Sequence, residues 1–353
     1  MTSDARTERL PRLLPRRLPS FTGIFGNLLV LVVVAWLLTN LAKTPGDFFQ
    51  ILLFGLSLGA IYALVALGYT LVYGILELIN FAHGDVFMFG GTISAVFILE
   101  VFSLGSHEHW YVLWPVVAGC VVISMLICGT LNVLIEMVAY RPLRNAPRLA
   151  PLITAVGMSF ILQDVVLGWR GPNYITVPTT LPRSNIFAVG GVTYRWDELI
   201  VLLVTVPLLL GLVYLVQKTK QGKAMRATAQ DREAAAMMGI NVNRTISFTF
   251  LVAGALAGAG GLIYVLWQTQ VRFDSGFRLG LISFTAAVLG GIGNLPGAVL
   301  GDVLIGLIQA FNEGLSWSAP GSDWTQSIVF SILILILVFR PEGLLGEKTP
   351  EGQ

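Results

Sequence analysis

Lys218–Arg244, KTKQGKAMRATAQDREAAAMMGINVNR, is the longest charged run lying between two membrane-length apolar segments. Framed that way, it reads as a loop joining two spanning helices, with local structure of its own. Asp231 is placed to cap a short helix over Arg232–Met238, and Gly239 suits the position just past its end, where a left-handed backbone is favoured. Asn241 or Asn243 caps the next apolar helix, which begins near Thr245. A helix of about seven residues does not hold together alone in water, because nucleation outweighs so few hydrogen bonds. Its small apolar face, Ala234, Ala235 and Met238, therefore rests on the membrane surface, on the rest of the bundle or on another protein.

Outward from this loop the chain has the composition of a membrane protein. Of 353 residues, 55% are hydrophobic and 12% charged, against about 25% charge in a soluble domain. Apolar runs recur at 24–41, 48–74, 80–101, 112–138, 150–169, 197–216, 245–267, 279–293, 297–313 and 324–340. Gly293, Asn294, Pro296 and Gly297 separate the eighth run from the ninth by a turn. The expected fold class is all-α: a polytopic transmembrane bundle of about ten spans (eight to ten), with broken helices. Its parts are a basic tail over 1–23, a transmembrane domain over 24–346 holding the 218–244 loop, and a tail over 347–353. The tail followed by the run at 24–41 reads as a signal peptide or as an uncleaved first helix; the absence of an A-x-A site in TNLAKTPG favours the helix. Cys120 and Cys128, eight apart in one apolar run, read as packing residues rather than a disulfide.

Charge asymmetry orients the spans. Ten spans put both termini on one side, and that side holds sixteen of the 22 Lys and Arg: the tail, Arg141, Arg144, Arg148, the 218–244 loop and the C-terminus. Positive charge marks the cytoplasmic side, so the loop and both termini are expected there. The stretch from about 170 to 196 is then the main outer surface.

Some residues suggest chemistry inside the spans. In GILELINFAHGDVFMFGG (74–91), Glu77, Asn80, His83 and Asp85 lie together at the junction of two apolar runs. On a continuous helix Asn80 and His83 would share a face. The stretch is either a polar element at a broken helix, shaping a substrate path together with Gly84, or a wet turn with a helix cap. LGGIGNLPGAVLG (289–301) offers a second break, at which Gly291, Gly293, Asn294 and Gly297 either line a path or pack closely. Asp302 follows inside the next span, while Gly254, Gly258, Gly260 and Gly261 read as a packing surface. His107, Glu108 and His109 lack the spacing of a helical zinc pair. The sequence contains no nucleophile elbow and no phosphate-binding GxxxxGK[ST] motif; Gly222-Lys223 lacks the upstream glycine and the following Ser/Thr. Energy for any active transport must arrive from elsewhere. GLSLGAIYALVAL (55–67) and AGALAGAGGLIYVL (253–266) share spaced small residues before Ile-Tyr, a hint of duplicated halves.

Several motifs together carry a family resemblance. GLSLGAIYALVALGYTLVYG (55–74), NFAHGDVFMFGG (80–91), AYRPLRNAPRLAPLITAVGMS (139–159), GKAMRATAQDREAAAMMGINVNR (222–244), FTAAVLGGIGNLPGAVLG (284–301) and LVFRPEGLLG (337–346) stand in one order over about 50–346. In this the chain resembles the permease subunits of bacterial ABC importers for branched-chain amino acids, of the high-affinity leucine/isoleucine/valine type. The tail and the 24–41 run lie outside that pattern. The resemblance implies that the EAAxxxG pattern, Glu233, Ala234, Ala235 and Gly239, belongs to a coupling loop docking into an ATPase, with Arg226, Asp231 and Arg232 as further contacts. It implies two ATP-binding-cassette subunits carrying ATP and magnesium, a second related permease and an extracytoplasmic solute-binding protein. This chain would bind no cofactor, metal or nucleic acid and would lie multi-pass in the bacterial inner membrane among its lipids. Alternating access would import branched-chain or related amino acids; urea and short amides are alternative cargo. A stand-alone ion-coupled transporter is the competing class, and would need intramembrane carboxylates to coordinate its ion.

Overall fold

The structure is a computed structural model that describes residues 21–105, 109–144, 146–147, 149–189, 191–340 and 342–346. Most of the basic tail, His107, Glu108, Arg148 and the stretch after 346 lie outside the described residues. The chain divides after Pro45 into two units. In the first, α1 (Phe21–Lys43) is a single apolar helix with Lys43 in its last turn, where a cation favours the helix dipole.

The second unit holds the bundle. Its helices are α2 (Pro45–Leu76), α3 (Ala82–Val96), α4 (Trp110–Ile135), α5 (Leu149–Arg170), α6 (Trp196–Lys218), α7 (Lys220–Gln230), α8 (Arg232–Met237), α9 (Val242–Gln268), α10 (Ser275–Gly290), α11 (Leu295–Gly314) and α12 (Thr325–Phe339). Among the described residues, eight helices are long and apolar enough to cross a membrane; Leu31–Lys43 and Ser275–Gly290 are apolar but shorter. Each of the ten apolar runs therefore has a helix.

The chain alternates between two ends. The ends of α2, α4, α6 and α10 gather at one end with α7 and α8, and the ends of α3, α5, α9 and α11 at the other. At the second end β2 (Asn185–Val189) and β3 (Val192–Arg195) form a hairpin, while β1 (Ile175–Thr176) pairs with β4 (Gln270–Val271). The sequence reading expected only loop there. These are four short strands in a helical protein, and the fold class stands.

Burial sorts the helices. α2, α3 and α9 are mostly enclosed, whereas α6 and α12 are mostly exposed. Small residues permit the enclosure, because backbones meet without side chains between them. A Cβ at Gly254 or Gly258 of α9 would strike the Cys128 or Ser124 carbonyl of α4. Cys120 and Cys128 are buried and unpaired by any disulfide, as the packing reading expected. α4 ends in a π turn (Glu136–Tyr140), then a 3₁₀ turn (Arg141–Leu143) containing Pro142, which cannot continue the helical hydrogen bonding.

Candidate functional site

The 219–241 junction is built by caps. Thr219 accepts a bond from Gly222 N (3.0 Å) and starts α7, a helix the sequence reading did not anticipate because its charged residues hide the small buried side of Gly222, Met225 and Thr228. Arg226 donates to the Val216 carbonyl and holds α7 back against the end of α6. Asp231 then caps α8, accepting from Glu233 N (2.8 Å) and Ala234 N (3.0 Å). Gly239 closes the helix at φ +84°, and Asn241 rather than Asn243 caps α9, through Arg244 N (3.0 Å). Asn243 instead accepts from Arg144.

The apolar face expected on this helix is corrected. Ala235 turns inward, but Met238 faces outward with Met237, and the two are 83% and 82% exposed. Met238 is the first residue past the helix, so it leaves the face its spacing suggested. Glu233 is also exposed. Arg232 points the other way and donates to the Ile75 and Leu76 carbonyls (3.1 and 3.2 Å), groups at the end of α2 that lack helical partners. Beside it Glu136, fully buried, pairs with Arg141 and Arg144 and accepts from Ser247 of α9 (2.7 Å). Burial pulls the Arg144 guanidinium below its usual range, and the adjoining Glu136 opposes that. A cavity of about 140 Å³ between these groups is lined by Glu77, Arg144, Pro151 and Arg232, among others. Short α8 thus has one side tied to α2 and one side uncovered.

The 77–91 stretch is a broken helix. Glu77 has a left-handed backbone (φ +54°), is exposed, and ends the run of α2. Because residues 78–81 are not helical, Asn80 and His83 do not share a helix face, contrary to expectation. Asn80 Oδ1 accepts from the Tyr140 hydroxyl (2.7 Å). His83 packs over Gly68, with its ring 5.1 Å from that of Tyr69. Asp85 turns to α5: Oδ2 accepts from Ser159 Oγ and from Gln163 Nε2 (3.4 Å), while Oδ1 has no partner. Asn80, His83 and Asp85 are all buried, which rules out a wet turn for these three. Gly84 abuts Gly276 and Gly280 of α10 with no side chain between.

Ser159 and Gln163 escaped the sequence reading. Their signal was available, two polar residues four apart inside an apolar run, but nothing local pointed them at Asp85.

The 291–294 break is built differently. Asn294 Oδ1 caps α11 through Gly297 N (3.2 Å), and its amide donates to the Leu345 carbonyl (2.7 Å). Leu344 N and Leu345 N bond the Leu289 and Gly290 carbonyls, so the segment after α12 closes the end of α10. Gly291 (φ +107°) lies against Gly343 and Gly346. Of the four residues singled out here, Gly293 (φ +95°) alone faces open space. Ile292 lines a crevice with Tyr69, Tyr73, Ile79 and Phe284. Asp302 is fully buried in α11, and neither carboxyl oxygen has a hydrogen-bond partner.

Residues 51–338 match the family described as "Branched-chain amino acid transport system / permease component". The chain belongs to this family. The permease is 37% identical over 307 residues to the high-affinity branched-chain amino acid transport system permease protein BraD of Pseudomonas aeruginosa, covering 86% of this chain and 97% of that one. It is 35% identical over 310 residues to the corresponding permease protein LivH of Escherichia coli K12, with the same coverages. A more distant likeness, 23% over 327 residues, is to the LivM permease protein of that organism, covering 84% of this chain and 70% of LivM. No solved structure matches the permease. Family and helices together make it a multi-pass membrane transport protein.

Proposed function

We propose that the permease imports branched-chain amino acids across the bacterial inner membrane by alternating access, driven by ATPase subunits docked on α8. The observation that carries this reading is the two-sided geometry of α8. Glu233, Met237 and Met238 stand uncovered on one side, while Arg232 on the other grips the end of α2. A partner that moves α8 therefore moves the end of an enclosed helix whose continuation is the 77–91 break.

In this reading the α8 end and both termini are cytoplasmic, as the Lys/Arg asymmetry supports. Arg226 and Asp231 shape the loop; Arg232, Glu233, Ala234, Ala235 and Gly239 transmit or receive the docking contact. Two ATP-binding-cassette subunits carry ATP and magnesium, a second related permease completes the path, and a solute-binding protein delivers cargo to the hairpin end. Asn80, His83, Gly84 and Asp85 line the path, with Gly291, Gly293, Asn294 and Gly297 bordering its inner mouth beside Ile292. The mechanism needs a bundle with two arrangements whose balance both ends bias.

The test is co-purification. Glu233→Lys and Gly239→Arg should lose the ATPase subunits while the permease keeps its melting behaviour in detergent. Undiminished co-purification of both variants would sink the docking role of α8.

A further inference from the structure

We propose that Asp85 is the group in the permease that recognises the ammonium of the amino acid in transit. This rests on the transport reading above and names the chemistry of that path.

Asp85 is fully buried within the bundle, in the first turn of α3. A carboxylate placed among membrane helices is costly unless it is paired or used. Glu136 and Asp197 show pairing, Glu136 with Arg141 and Arg144 and Asp197 with Arg195 (2.6 Å), whereas Asp302 has no hydrogen-bonding partner of any kind to hold it ready for a ligand. Asp85 differs from the paired two, because no Lys, Arg or His nitrogen among the described residues lies within 4.0 Å of it. Its Oδ2 is fixed by two neutral donors, Ser159 and Gln163, and its Oδ1 points to nothing. A carboxylate clamped by neutral groups and lacking a resident cation is an acceptor for a cation brought from outside.

The surroundings select an ammonium attached to an apolar body. No cluster of three or more His, Cys, Asp or Glu that could hold a metal occurs among the described residues. A single carboxylate oxygen suits one charge-assisted N–H bond far better than the several oxygens a calcium ion takes. The backbones beside it are bare: a Cβ added at Gly276 would stand 2.7 Å from the Asp85 Cα. Aromatic rings follow Gly276 along α10 toward the α8 end. Phe277, next to Gly276, stacks on Phe160 (6.3 Å), which adjoins Ser159. Phe284 packs on Phe81 (5.6 Å) and Tyr69 (6.0 Å), and eight residues along α10 places it about 12 Å nearer the α8 end. The crevice lined by Tyr69, Phe284 and Ile292 lies on that side. Sliding of the glycine seam between α3 and α10 would open room for an aliphatic side chain between these aromatic layers while Asp85 holds the amine.

The experiment uses the complete transporter, reconstituted with its ATPases and binding protein for uptake and purified without the binding protein for ligand melts. Leucine and 3-methylbutylamine, which keep the ammonium, should raise the melting temperature of the wild-type complex; 4-methylpentanoate, which lacks it, should not. Asp85→Asn should weaken both shifts and lower leucine uptake by at least about tenfold, the scale of one hydrogen bond to a charged group. Asp85→Glu keeps the charge and should keep the preference for amines. Equal shifts by leucine and 4-methylpentanoate, no shift by any ligand, or an Asp85→Asn transporter with wild-type uptake would overturn the proposal. Should Asp85→Asn fail to assemble, loss of amine preference in Asp85→Glu overturns it instead. Absence of leucine uptake by the wild-type transporter would overturn the transport reading itself, a separate result.

Discussion

The bundle has two helix breaks at the same end, and they are held shut by different means. At 77–81 the chain leaves α2 and enters α3 through side chains: Asn80 reaches Tyr140 beyond α4, and Asp85 reaches Ser159 and Gln163 on α5. At 291–294 the closure is largely backbone: Leu344 and Leu345 bond the carbonyls that end α10, and glycines touch glycines. A backbone joint of this kind is rigid, because every partner is fixed by the path of the chain. A joint made by side chains from three different helices has spare groups, and here Asn80 Nδ2 and Asp85 Oδ1 are both without partners. The first break is suited to change its contacts during a transport cycle; the second is suited to stay put and give the first something to move against.

The largest effect should come from crowding the rigid joint. A Cβ at Gly290 would overlap the Gly297 carbonyl, and neither backbone can yield without moving a helix. Gly290→Val should cost about 3 kcal/mol or more and leave little folded permease after thermal challenge in detergent. A wild-type melting curve would show the joint to be softer than its contacts imply. Next is the side-chain joint. Tyr140→Phe removes the bond to Asn80 yet keeps the ring against Phe250 (5.6 Å), leaving Asn80 Oδ1 buried without a donor. About 1–3 kcal/mol of stability should be lost, and uptake should fall further than in a surface variant of equal stability. Uptake that merely tracks stability would make this break as passive as the other.

How legible each break was in the sequence follows from the same difference. Gly293, Asn294 and Pro296 announce the second through local backbone chemistry, and the sequence reading placed a turn there. The α8 caps were legible for that reason too: Asp231 and Gly239 act on neighbours within a few residues. At the first break the residue types were visible but their relations were not. A helix running through Asn80 would have set it on one face with His83, but the helix begins only at Ala82, and the chain turns at Glu77, a residue with no turn preference to betray it. The partners of Asp85 lie 74 and 78 residues away. α7 was missed because its helical signal is a thin apolar side, completed only where Gly222 lets it fold onto α6.

Asn294→Ala should have a smaller effect than either joint variant, about 1 kcal/mol, by removing the α11 cap and the bond to Leu345. Smallest of all should be Gly293→Ala. At φ +95° an alanine is strained, but its Cβ would meet no atom within 4 Å, so the cost is conformational alone, about 1 kcal/mol or less. Gly293→Leu uses the same backbone and adds a bulky side chain beside Ile292, which lines the inner crevice. The pair therefore separates strain from obstruction. If the second break only anchors the bundle, Ala and Leu should melt alike and transport alike. If it also borders the path, Leu should melt like Ala yet transport leucine several-fold more slowly in reconstituted vesicles, and the passive half of the comparison would need redrawing.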